Sequence, residues 1–405
     1  MIIMQKLLIL FLSLLIAGCS VKKPGKQNIS HRKYVIILSL DGFRWDYPDI
    51  YSTPVLDSLE KSGVRAELIP VFPSKTFVNH YSLATGLYSD RHGIVFNNFF
   101  APDMNRYYDM KKTAGDGSFY GGEPLWVTAE KQGVKTATLF WVGSEAKIKG
   151  FRPSYWYKYN QSLPFEKRIE KVIDWLKLPP AKRPHLIMWY YHEPDGSGHN
   201  NGPESNLTKA MVEQLDGWLG DFFTKVKQLP IYDSIDFIIL SDHGMTSLSP
   251  ERKIFLDDYV DTAMLQIING GNPVFNFKVK EGKLRRVYND LKNVAHLHVW
   301  KHDSLPARLH YGTNPRTLDL TIVSEPGWGL YWSWQKHSYK GTHGYDNQNR
   351  DMHAIFYASG ADFKKNYRHP AFINVDVYPL VCRLLSLKPA YIDGNIKEVS
   401  SMLKK

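Results

Sequence analysis

An α/β fold, with a mostly parallel sheet and helices on both faces, is what this chain predicts. Three observations carry that expectation. Apolar, β-branched runs at Tyr34–Leu40, Leu186–Tyr191 and Ile235–Leu240 read as buried strands. Between them lie stretches with helical period and with recognisable start and stop residues. Each run also leads into a polar motif: Asp41-Gly-Phe-Arg, Glu193-Pro-Asp-Gly-Ser-Gly-His and Ser241-Asp-His-Gly-Met.

The elements follow in order. A helix is expected over Thr53–Ser62, begun by Thr-Pro and stopped by Gly63, and another over Phe77–Thr85. Helix Pro124–Gln132, strand Thr136–Trp141 and helix Pro164–Leu176 come next. A long helix over Pro203–Leu229 is expected because Val212, Leu215, Leu219, Phe222 and Val226 recur near helical period. After Arg252 the rhythm changes. Asn276–Lys280, Glu281–Leu291 and His296–Trp300 read as strand, helix and strand, followed by strand Thr317–Val323. Residues of about 255–340 are therefore expected to form a small α+β insert subdomain. Strand His353–Ala358 and helix Val375–Leu387 complete the pattern.

With 405 residues, 43% of them hydrophobic, the chain suits one large domain with an insert. Net charge is +11, but lysines and arginines are scattered, which argues against a nucleic-acid-binding stripe. The amino terminus stands apart. Lys6 precedes the apolar run Leu7–Ala17 and then Gly18-Cys19-Ser20, a secretory pattern too short for a comfortable membrane span. Ile16-Ala-Gly-Cys19 resembles the bacterial lipobox. Residues 1–19 are therefore expected to be a lipoprotein signal peptide, with lipidation of Cys19, a polar tether over 20–33 and a place in the bacterial cell envelope. An ordinary signal peptide or an uncleaved anchor are the competing readings. Cys382 is the second of two cysteines; with Cys19 acylated it is a buried free thiol. A monomer is expected.

Asp195 and His199 lie four apart, a spacing that lets either one side of a helical turn or a tight loop present both together. Asp242 and His243 are adjacent at a strand end. With Asp41 and with His343 of Thr342-His-Gly-Tyr-Asp, they supply three carboxylates and three imidazoles. That donor set suits two divalent ions, most plausibly zinc. Two ions about 4 Å apart hold the attacking and leaving oxygens of a displacement at phosphorus. Thr76, in Lys75-Thr-Phe-Val-Asn-His, is the candidate nucleophile, activated by direct coordination and set at a helix amino terminus that favours phosphate. The alternative is that Thr76 only caps the helix. Asn79 is expected to donate its amide to a phosphoryl oxygen.

Taken together, these residues resemble the nucleotide pyrophosphatase/phosphodiesterase family of the alkaline phosphatase superfamily, from about Tyr34 to Leu387. The Lys75-Thr-Phe-Val-Asn-His-Tyr-Ser-Leu-Ala-Thr-Gly-Leu-Tyr stretch, Asp90-Arg-His-Gly-Ile and Glu193-Pro-Asp-x-Ser-Gly-His carry the likeness. The resemblance implies an alkaline-phosphatase-like fold over residues 34–390. It implies one zinc on Asp195, His199 and His343, and another on Asp41, Thr76, Asp242 and His243. It further implies a phosphothreonine intermediate at Thr76, and a nucleobase held by Phe77 and Tyr159 near Asn97, Trp141 and Tyr190. Val78 and Val142 stand where the family usually has Pro, and Gly196 where Ser is common. The implied activity is hydrolysis of nucleotide phosphoanhydrides and 5′-phosphodiesters to nucleoside 5′-monophosphates. The rivals are a phospholipid or choline-type phosphodiesterase, a phosphate monoesterase, and a zinc-binding surface module without turnover.

Overall fold

A computed structural model describes residues 33–335 and 339–404. The expected signal peptide, Cys19 and all but the last residue of the expected tether lie outside the described residues. At the centre is a nine-stranded mixed sheet. Its parallel heart comprises β1 (Tyr34–Leu40), β2 (Thr136–Leu139), β3 (Tyr155–Tyr157), β4 (Leu186–Tyr191) and β5 (Ile235–Leu240), in the order β5-β1-β4-β2-β3. Every residue of β1, β4 and β5 is buried, as a parallel sheet covered on both faces requires. Beside β5 runs β6 (Ala354–Ser359), antiparallel to it, and then Val64–Ile69, antiparallel to β6. That last strand had no clear period, since Arg65 and Glu67 interrupt its apolar run.

Two apolar clusters sandwich this sheet. On one side, Ile36, Leu38, Ile187 and Trp189 pack against Phe165, Ile169, Leu215, Leu219 and Phe222 of two long helices. On the other, Val35, Ile37, Leu186 and Met188 meet a cluster that includes Tyr81, Trp126, Tyr378 and Leu380. The alternation of side chains along each strand feeds both layers.

Several expected boundaries shift for local reasons. The long helix runs Asn206–Lys227, because Ser205 caps it by accepting from the Thr208 N–H at 3.1 Å. A separate short helix, Asp195–Asn201, precedes it. Strand Thr317–Val323 begins only at Leu320, since Pro315–Thr317 forms a 3-10 turn capped by Asn314. The helix expected over Val375–Leu387 runs Val377–Leu384, where Cys382 is a buried free thiol. Residues 265–324 contain a four-stranded antiparallel sheet with its own apolar cluster around Phe277, Val287, Leu291 and Ile322. Its first strand, Leu265–Gly271, and the hairpin Asn98–Ala101/Arg106–Asp109 were not apparent from periodicity.

Candidate active site

The three central strands stop level with one another. Leu40 pairs with Tyr191, and Ser39 with Leu240, so their following loops emerge at one edge. This carboxyl edge is where parallel α/β sheets place ligands. Asp41 N–H donates to Tyr191 O at 2.9 Å, and Asp195 N–H donates to Asp41 O at 2.9 Å. The second contact demands a glycine. Gly42 has φ +70°, and a Cβ there would sit 2.9 Å from Asp195 Cα.

Around this edge the expected ligands converge. His199 Nε2 and His343 Nε2 lie 3.4 and 3.5 Å from Asp195 Oδ1. His243 Nε2 lies 3.3 Å from Asp41 Oδ1 and 3.1 Å from Asp242 Oδ2. Thr76 Oγ1 is 3.3 Å from the same His243 nitrogen, at the first position of helix Thr76–Thr85. Two groups are close enough to share ions: Asp195, His199 and His343, and Asp41, Asp195 and His243. Asp195 belongs to both, and Asp242 borders the second.

The donor set fits divalent metal. Asp41 Oδ1, Asp195 Oδ1 and Asp242 Oδ2 are buried without a hydrogen-bond partner, a costly arrangement unless a cation meets them. The imidazoles are prepared alike. Each Nδ1 faces a backbone carbonyl, His199 to Gly341, His343 to Ser74 and His243 to Gly244, at 2.7–2.9 Å. With Nδ1 donating, Nε2 carries the lone pair, the usual state of a metal-bound histidine. Burial pushes His243 and His343 well below the ordinary imidazole range, so both are neutral. It also raises Asp41 well above the carboxylate range and Asp242 to about 8, with neighbouring carboxylates adding to each shift.

Other expected residues behave differently. Asn79 is fully buried and its amide is spent on the loop. Oδ1 accepts from Val71 N–H (2.8 Å) and Asn374 Nδ2 (2.9 Å), while Nδ2 donates to Pro73 O and Lys75 O. It cannot also reach a phosphoryl group. Asn97 is held differently: its Oδ1 accepts from Phe77 N–H at 3.0 Å, and the residue lines the adjoining cavity. Trp141 is 2% exposed and donates to His80 O at 3.0 Å, so it supports the site from within the core rather than lining a pocket. Tyr190 is likewise buried, with its hydroxyl on Asp41 Oδ2 at 2.5 Å. Tyr159 is 43% exposed and stands 6.3 Å from the Tyr190 ring, and Phe77 is half-buried against Tyr108. Arg44 is committed to Asp46 and Glu204. Sequence reasoning missed His80, whose Nδ1 lies 2.9 Å from Thr76 O and 3.3 Å from Asp242 Oδ2. It also passed over Lys75 as a site residue, although its place beside Thr76 was the available signal.

A parallel sheet that gathers carboxylates, imidazoles and one hydroxyl at its carboxyl edge defines an alkaline-phosphatase-like protein. Within that class, the chain belongs to the type I phosphodiesterase/nucleotide pyrophosphatase family, whose sequence profile matches residues 35–346. It is 36% identical to a venom phosphodiesterase of Naja atra over 91% of this chain. Identity to human ectonucleotide pyrophosphatase/phosphodiesterase family member 5 is 35% over 97% of this chain. The chain spans 46% of the venom enzyme's length and 83% of the human protein's. The solved murine member 5 superposes with a TM-score of 0.88 at 34% identity, covering 92% of this chain and all of that one. An inactive threonine-to-alanine form of that murine protein, in complex with AMP, matches equally.

Proposed function

We propose that this chain is a two-zinc hydrolase that releases nucleoside 5′-monophosphates from phosphoanhydrides and 5′-phosphodiesters. One observation carries the reading: orphaned, buried oxygens of Asp41, Asp195 and Asp242 and the Nε2 atoms of His199, His243 and His343 gather at one sheet edge, with Thr76 Oγ1 3.3 Å from His243 Nε2. Asp195, His199 and His343 would hold one ion, and Asp41, Asp242, His243 and Thr76 the other. Bound there, zinc would acidify the hydroxyl and offset phosphoryl charge.

The chain's own groups then define the steps. Thr76 Oγ1 attacks phosphorus and its proton passes to solvent. The bond from phosphorus to the leaving oxygen breaks, and that oxygen keeps the electron pair. Asn97, anchored through Phe77 N–H, presents Nδ2 to the developing charge, the part first expected of Asn79. Water then displaces Thr76 and frees the monophosphate. Phe77 and Tyr159 hold the base; that the murine relative was solved in complex with AMP supports a nucleotide as the ligand. A monoesterase site needs a free arginine or its equivalent, and Arg44 is already paired on both sides.

Initial rates on ATP, a dinucleotide and a lysophospholipid, with and without chelator, test the assignment. Thr76→Ala should abolish nucleotide turnover while zinc content and melting temperature hold. Equal or faster turnover of the lipid would overturn the substrate, and an active alanine variant would overturn the nucleophile. At the amino terminus, acylation of Cys19 and a cell-envelope location remain part of the proposal; palmitate labelling lost in Cys19→Ala is the expected result.

A further inference from the structure

His80 is a fully buried imidazole that the displacement at phosphorus does not use. It lies one turn on from Thr76 in the same helix, and helical side chains lean back over the preceding turn. Its Nδ1 therefore comes to 2.9 Å from the carbonyl oxygen of Thr76 itself. At the far end of the ring, Nε2 is 2.9 Å from Ser39 Oγ, near the end of β1. Two aromatic rings meet the imidazole edge to face, Trp141 at 5.3 Å and Tyr190 at 5.0 Å, and hold its plane.

The partners decide which nitrogen carries the proton. A carbonyl oxygen only accepts, so Nδ1–H donates to Thr76 O and Nε2 keeps its lone pair. The Ser39 hydroxyl then donates to Nε2. Nδ1 also lies 3.3 Å from Asp242 Oδ2, the oxygen that has no hydrogen-bond partner and stands 3.1 Å from His243 Nε2. The other oxygen, Oδ1, accepts from Gly42 N–H and from the Ser241 hydroxyl, both at 3.2 Å. Asp242 is thus gripped by the strand ends at one oxygen and faced by His80 at the other. One ring touches both the backbone of the nucleophile and a carboxylate beside it.

We propose that His80 is a positioning residue: it sets Thr76 against Asp242, so that hydroxyl and carboxylate meet the same divalent ion together. The inference rests on the two-metal phosphodiesterase reading and deepens it. His80 neither attacks phosphorus nor holds a metal, because both of its nitrogens are already engaged. Its effect falls on the ion beside Asp41, Asp242 and His243, and spares the one held by Asp195, His199 and His343.

The test divides the ring between two amides. An asparagine amide nitrogen branches from Cγ, as Nδ1 does, so His80→Asn restores the donor to Thr76 O. A glutamine amide reaches the depth of Nε2, so His80→Gln serves Ser39 and loses that donor. Zinc affinity is read by competition with a chromophoric chelator, and Asp242→Asn marks the step that belongs to the Thr76-side ion. His80→Gln should weaken that step by about tenfold or more, as removal of an outer partner does, and leave the other step unchanged. At saturating zinc its kcat on ATP should fall while KM holds. His80→Asn should recover most of both losses. Should either variant fail to fold, nitrogen NMR of the histidine-labelled wild type decides, because His80 must show the Nδ1–H form with and without zinc. Equal effects of the two variants, weakening of both zinc steps alike, or an Nε2–H form in the wild type would overturn the assignment. If the wild type does not turn over ATP, the phosphodiesterase reading falls instead, and the zinc titrations and the tautomer still decide the part of His80.

Discussion

The Tyr190 hydroxyl donates to Asp41 Oδ2 at 2.5 Å, joining the last-but-one residue of one central strand to the first residue beyond its neighbour. This bond leaves only Oδ1 of Asp41 unpartnered and faces it toward His243. Removing the hydroxyl frees the carboxylate to turn. Outer partners of metal ligands typically affect metal affinity by about 10–100-fold. Tyr190→Phe is therefore expected to weaken zinc binding by that order, read by competition with a chromophoric chelator. An unchanged affinity would mean that Asp41 is held by its backbone alone.

Asn79 and catalysis are separable. Asn79→Ala breaks four hydrogen bonds and leaves buried backbone groups unpaired, at a cost of about 3 kcal/mol or more. The melting temperature should drop while kcat per folded molecule changes little. A large loss of kcat at unchanged melting temperature would return Asn79 to the reaction itself.

Gly42→Ala tests how closely two loops must approach. A non-glycine residue in the left-handed region costs about 1–2 kcal/mol, and this Cβ also runs into Asp195. Asp195 belongs to both metal groups, so its displacement should lower the zinc-to-protein ratio below that of the parent. Full zinc occupancy in the variant would argue that the loop yields without moving the carboxylate.

Asp376 supplies a pH signature away from the site. Burial pushes its carboxyl up to about 6, with Glu398 adding to the shift. The folded value lies above the unfolded value of about 4, so between them the folded state binds more protons and stability falls as pH rises. Above this window the ionised group is a cost of roughly 2 kcal/mol, reduced by whatever screening solvent provides. Asp376→Asn keeps the acceptor for Asn395 N–H (2.7 Å) and removes the charge. It should melt higher than the parent at about pH 8 and match it near pH 4. A gap independent of pH would point to packing instead.

What the sequence determined by itself was local. Largely apolar runs, broken only by Ser39 in β1 and Asp236 in β5, identify β1, β4 and β5, because a strand covered on both faces has few polar positions to spare. Motifs of Asp, His and Gly at their ends identify the ligand candidates, because few structural roles need that many imidazoles and carboxylates at strand termini. Tertiary structure decided the rest. Whether an asparagine serves substrate or scaffold depends on its neighbours. Asn79 meets Val71 and Asn374, while Asn97 accepts from Phe77 N–H and lines the cavity. Tyr190 and Trp141 read as pocket aromatics in one dimension, yet in three their polar atoms point to Asp41 and to the His80 carbonyl. Hydrogen bonds between residues far apart in the chain leave no periodic trace, so only folding could assign them.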